Sequence, residues 1–302
     1  MEKDRFGKTL RIICFLILAC HFSACESLSQ SSQNPKPLPR TPTKETKKMN
    51  QDIITTLQKH DRNILKNARQ MPPQLPLEIE KNLSALDEDA RELAVELVRE
   101  QDSEPAGTFL LQMTGDSSLN VAGLAVNSIR KISNKPKVHE IIQAIPKREN
   151  PFIRARLYLE AGNSNEKDAI QGLRDIFTKE QDEEVKLNGL AALTKLHGQP
   201  EKNRFVEIVS NTTPDDAIQI QELILYIGKA EVAKGMITWL QSEEDVTRIS
   251  TDENVVMARM CDIAVWTAHL LKIKLPFETT HLRNYKKEEI EATRKVLELL
   301  PN

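Results

Sequence analysis

Cysteine is scarce in this chain and badly placed for cross-linking. Of four cysteines in 302 residues, Cys14, Cys20 and Cys25 crowd the N-terminus and Cys261 stands alone in the body, which excludes an intrachain disulfide there even in an oxidising compartment. Aromatic residues make up only 4% of the chain, too few for rows of base-stacking platforms. The formal net charge of −2 lacks the basic excess that phosphate neutralisation requires, so no nucleic-acid partner is expected. Strand signals are nearly missing, since no alternating run flanks an Asn-Gly or Asp-Gly turn. The histidines at 60, 139, 197, 269 and 281 include no pair at helical spacing, and zinc needs converging ligands. No metal, cofactor or catalytic residue is expected. Gly7-Lys8-Thr9 lacks the upstream glycine and preceding strand of a phosphate loop.

What is present begins with an address. Lys3, Arg5, Lys8 and Arg11 precede a mostly apolar run from Ile12 to Ala24, and a run of about 13 residues is an export signal rather than a ~20-residue membrane span. The run ends in Phe22, Ser23, Ala24 and Cys25, which resembles the lipobox of bacterial lipoproteins. That resemblance implies a signal over residues 1–24 and a lipid anchor on Cys25, with Cys20 as the alternative site and an ordinary cleaved signal or an uncleaved anchor also open. Residues 25–49 hold Pro35, Pro37, Pro39 and Pro42 among Ser, Gln, Thr and Lys. Such a composition cannot bury enough apolar surface to offset ordering entropy, so a disordered tether of at most about 75 Å is expected there.

From residue 50 to 302 the apolar spacing is helical and repetitive. Asp52 to Arg69 carries one apolar stripe that Pro72 and Pro73 should end. Starts at Asp87, Asp116, Asn150, Asp182, Asp215 and Asp252 recur at roughly thirty-residue intervals, the period of a stacked helical solenoid. The Asp or Asn is suited to N-cap a first helix, at roughly 1 kcal/mol. An aliphatic residue three positions on (Leu119, Ile153, Val185, Ile218) should open the buried stripe. Gly or Ala four further on lets neighbouring helices approach. Second helices are expected over 138–145, 167–177, 202–209 and 232–240, and Lys286 to Leu300 should cap the array, because no single pair hides its own apolar face.

The pattern Asp-x-x-Val-Arg/Lys-x-x-Gly/Ala-Leu-x-Ala-Leu resembles bacterial HEAT-like repeats over about residues 75–272, and Arg259, Cys261, Asp262 and Ala264 resemble the terminal module of such arrays. The resemblance implies an all-α, right-handed α-α superhelix whose second helices line the concave side. It also implies a protein-binding scaffold, with relatives that assist chromophore attachment. Lys137, Glu140, Lys167, Arg174, Lys202 and Arg204 on the second helices are the expected protein contacts. Cys261 reads as a small buried hydrophobe. Arg259 and Asp262 read as an ion pair tying the last repeat to the closing helix, with a binding role as the alternative. The acidic run Glu243, Glu244, Asp245, Asp252 and Glu253 reads as a solvated face. The function expected is a non-enzymatic scaffold for an unknown protein of the bacterial cell envelope, held at the membrane by its lipid. The alternatives are an enzyme accessory or lyase-like protein with a small molecule in the groove, or a structural envelope protein.

Overall fold

The computed structural model describes residues 44–301, apart from 165, 167, 197 and 251–254. The expected signal, Cys25 and the tether up to residue 43 lie outside the described residues. Helix α1, Lys44–Gln58, starts six residues before the expected end of the tether. Lys and Glu are good helix formers, and they carry the helix back past the boundary that proline content suggested. α1 then stops short of Arg69. His60 adopts a left-handed φ of 54°, and the Asp61 side chain accepts from Asn63 N to start a tighter 3-10 segment, Arg62–Gln70.

Helices then come in pairs. α2 (Leu75–Lys81) leads into α3 (Glu88–Gln101) and α4 (Glu104–Met113). These are followed by α5 (Leu119–Lys131) with α6 (Val138–Ala144), α7 (Pro151–Gly162) with α8 (Ala169–Phe177), and α9 (Glu183–Lys195) with α10 (Gln199–Ser210). First helices stack in sequence, α3 on α5, α5 on α7, α7 on α9, and α9 on α11 (Ala217–Ile227), which packs on α12 (Met260–Leu270). α13 (Lys287–Glu298) closes the array against α12 and the segment 230–237. This is the expected right-handed α-α superhelix. Its core runs the length of the array in two clusters that meet on α9, where Ala192 and Leu193 belong to one and Leu190 and Ala191 to the other, because each pair lends the next an apolar face. Leu57, Leu97, Leu110, Ile129, Leu157, Leu193, Ile224 and Leu297 are all fully buried along its length.

Capping follows the expected logic at three starts. Asp87 accepts from Ala90 N at 2.9 Å, Asn150 from Ile153 N at 3.4 Å and Asp182 from Val185 N at 3.0 Å. At the second start the register is two residues later than expected. Ser118 caps Val121 N, Val121 is buried, and Leu119 is 52% exposed. Asp116 instead accepts Nε and Nη2 of Arg91 and, at 2.8 Å, the backbone N–H of Ser118, so it braces the residue that caps rather than capping itself. The same device recurs sixty-odd residues on, where Arg154 grips Glu180 at 2.9 and 3.1 Å. Each acidic partner sits two residues before the next N-cap, so the basic residue of the repeat ties one first helix to the start of its successor.

Two stretches depart from the all-helical expectation. The last second helix is a 3-10 segment, Ala230–Ile237, followed by Trp239–Gln241. Gly235 is pressed there so closely that a Cβ would lie 2.6 Å from Val209 Cβ. The start expected at Asp252 lies outside the described residues, and the residues just after it form a strand rather than a helix. Residues Asp245–Ser250 and Val255–Arg259 form an antiparallel pair of strands, β1 and β2. Val255 and Val256 are β-branched and suit strand better than helix. The acidic run thus lies along and beside a hairpin, and its residues 252 and 253 fall outside the described residues.

Candidate interaction surface

The six expected contact residues separate once their partners are known. Glu140 turns back to accept from Lys137 N at 3.2 Å, closing the start of α6. Arg174 holds Glu201 in a two-point pair at 2.6 and 2.8 Å that joins α8 to α10. Both arrangements serve helix ends and stacking. Lys167 lies outside the described residues. Lys137, engaged with Glu140 only through its backbone N–H, and Arg204 are exposed, and Lys202 is half-buried on α10.

The inner side of the stack lies elsewhere, on the first helices. Tyr226 of α11 donates to Leu159 O of α7 at 2.6 Å, although α9 stands between them. At 8–10 Å per helix step, α7 and α11 of a straight stack would be roughly 16–20 Å apart, beyond a tyrosine's reach. The array must therefore bend so that the C-terminal ends of these first helices converge. Small residues permit it. A Cβ on Gly162 would strike the Tyr226 hydroxyl and come 2.9 Å from Ala192 Cα, whereas Gly189 makes room on the other side of α9, where a Cβ would come 3.0 Å from Phe177 Cδ2 of α8. The expectation that second helices line the concave side does not hold for this part of the chain.

A cluster of charge fills the bend. Lys195, at the end of α9, donates to Asn163 Oδ1 at 2.7 Å and rests 4.2 Å above the Tyr226 ring. Burial pushes its ammonium below the ordinary lysine range; Glu160 opposes that shift, and Arg130, Lys135 and Lys229 add to it. Lys229 donates to Thr194 O at 2.7 Å. It too is held low, first by burial, with Glu231 favouring its charge and Lys202 opposing it. Glu160 is 7% exposed and meets Lys135 Nζ at 3.5 Å. Four cations, Arg130, Lys135, Lys195 and Lys229, thus share one neighbourhood with the Glu160 carboxylate. Arg130 and Lys195 near the ends of α5 and α9 were a sequence signal for this edge, but basic residues there also complement the helix dipole. That ordinary role hides the cluster from a linear reading.

At the far end the terminal module is tied as expected. Asp262, fully buried, accepts from Arg259 Nε and Nη2 at 2.9 and 3.0 Å, from Arg259 N at 3.0 Å and from Tyr285 N at 2.8 Å. Arg259 in turn donates to Tyr285 O. Cys261 is 1% exposed, and burial raises its thiol above the ordinary range, which suits packing rather than nucleophilic attack. His269, two turns on, is stacked on Trp266 at 5.0 Å. An open groove of about 550 Å³ runs past Cys261 to Ile290 and Arg294, and a second of about 580 Å³ lies by Arg69, Arg99 and Lys131. Among the described residues no helix is long and apolar enough to cross a membrane.

No curated protein and no solved structure matches the chain. Residues 107–194, from within α4 almost to the end of α9, match the family of HEAT repeats. Over that stretch the stacked, capped pairs are similar to HEAT repeats, and the same pairing of helices continues on either side of it.

Proposed function

We propose that the chain is a non-enzymatic scaffold that binds another protein in the bacterial cell envelope, anchored to the membrane by a lipid on Cys25. The observation that carries the reading is the bent inner face, where Tyr226 spans α9 to reach Leu159 O beside a cationic cluster. A curved row of first helices offers a partner a long, preformed surface, and a preformed surface lowers the ordering cost of binding. The inert setting of Cys261 and the stacking of His269 favour recognition over covalent catalysis. The basic start, the short apolar run and Cys25 support export and lipidation.

Capture tests the scaffold. Full-length protein purified from membranes in detergent should retain one defined envelope protein through washing, and recovery of nothing beyond a tag control counts against the reading. Anchoring is read by detergent-phase partition. Cys25→Ser should move the protein to the aqueous phase, whereas a shift seen with Cys20→Ser alone would place the lipid on the other cysteine.

A further inference from the structure

The charge in the bend is unusual in its balance. Arg130 is exposed and makes no hydrogen bond or ion pair among the described residues. Lys135 reaches only the edge of Glu160, at 3.5 Å. Lys195 and Lys229 are satisfied by neutral oxygens, Asn163 Oδ1 and Thr194 O. The nearby carboxylates therefore neutralise a minority of the positive charge. A concave surface with low-dielectric walls focuses such a potential and draws anions to it.

We propose that this bay grips an extended acidic segment of the partner protein, with carboxylates meeting Arg130, Lys135, Lys195 and Lys229 in turn. The inference rests on the scaffold reading and names the chemistry of its ligand. The cations come from the ends of α5, α9 and α11 and from the loop after α5, so a chain lying across the repeats meets them in succession. Glu160, almost buried at the centre, disfavours a compact dianion such as phosphate. Side-chain carboxylates carry one charge each and can straddle it. The Tyr226 hydroxyl is committed to Leu159 O, which fixes the floor of the bay.

The test is a titration of the full-length protein in detergent with a fluorescein-labelled dodecapeptide of Asp, Glu and Leu, against the same peptide with Asn and Gln in place of the acids. The acidic peptide should bind at least about tenfold more tightly than the neutral one. Arg130→Gln, Lys135→Gln and Lys229→Gln together should remove most of that difference. Arg130→Gln alone, which breaks no internal contact, should weaken binding about threefold and so keeps the test alive if the triple variant misfolds. Neutralising Lys147, Lys274 and Lys295, exposed cations elsewhere, should leave it unchanged. Equal binding of the two peptides, or equal loss in the control variant, overturns the proposal. So does tighter binding of monomeric dihexanoyl phosphatidylglycerol or inorganic phosphate at the same residues. If the triple variant still captures the same envelope protein as the wild type, the scaffold stands and the acidic ligand is wrong. If the peptide result holds while neither form captures a protein, the bay stands and the scaffold is wrong.

Discussion

Removal of the Asp262 carboxylate should release the closing helix while leaving the middle of the array intact. That carboxylate is inaccessible to water and accepts four hydrogen bonds, three from Arg259 and one from Tyr285 N. Asp262→Ala leaves a guanidinium that is 21% exposed on its side chain without its counter-ion. Breaking a buried pair from one side costs about 3–5 kcal/mol, most of it the desolvation of the charge left behind. Asp262→Asn keeps the shape but turns an amide NH2 toward donors, and should fall between alanine and wild type. Repeat proteins transmit such losses mainly to neighbours, so the effect should concentrate in α13 and the segment before it. Amide hydrogen exchange reads this directly. In Asp262→Ala, α13 amides should exchange at least about a hundredfold faster, the equivalent of about 3 kcal/mol, while those of α7 keep their protection. Exchange in α13 within threefold of wild type would refute the idea that this carboxylate holds the cap.

The ion pairs made by the repeat's basic position are predicted to be unequal, because Arg154 reaches the next repeat whereas Lys186 pairs within its own helix. Arg154→Met should cost about 2–3 kcal/mol in urea denaturation, because Glu180, whose side chain is 10% exposed, loses its two-point partner. Lys186→Met, at the equivalent position one repeat on, should cost no more than about 0.5 kcal/mol, since its partner Glu183 is 85% exposed. Acid should loosen the C-terminal cap through Glu289, which Arg283 and then the Lys286 backbone N–H hold down to about 2 from the model-peptide value of 4.5. The unfolded chain takes up this proton first, so the stabilisation is full above about pH 4.5 and is lost as pH falls toward 2. Exchange of α13 amides should rise across that window, and less so in Arg283→Gln. Gly162→Ala should destabilise by about 1–3 kcal/mol through overpacking against Tyr226 and Ala192, and Tyr226→Leu in the same chain should recover part of the loss.

The stacking of helical pairs was legible because it rests on local chemistry repeated many times. Asp87, Asn150 and Asp182 cap where an oxygen-bearing side chain precedes an apolar stripe, and a cap needs only its own helix to work. The failures have equally local causes. Asp116 looks like a cap in sequence, but its carboxylate binds Arg91 and the Ser118 N–H, two residues before the helix, and Ser118 does the capping. The stripe from Ile53 to Ala68 has unbroken periodicity, yet His60 turns left-handed and divides it, a backbone event that hydrophobic spacing does not encode. Val255 and Val256 carried a β preference that the repeat pattern overrode in the reading but not in the fold.

The inner face was illegible for a different reason. Which side of a solenoid is concave depends on the small rotation between successive repeats, and that rotation is set by contacts between helices two apart. Gly162 and Ala192 each appear in sequence as ordinary small residues at helix interfaces. Only the placement of Tyr226 against Leu159 O, across α9, shows that they tighten the bend on the first-helix side. The same geometry gathers Arg130, Lys135, Lys195 and Lys229, which are scattered over about a hundred residues and individually suit helix ends or loops. A helix-end cation has an ordinary job when its repeat is straight. When the array bends inward at that end, successive cations converge faster than their local carboxylates can neutralise them, and an everyday capping preference becomes an electrostatic site. The bend and the charge therefore stand or fall together: a substitution that straightens the stack at Gly162 should disperse the cluster without altering any of its charged residues.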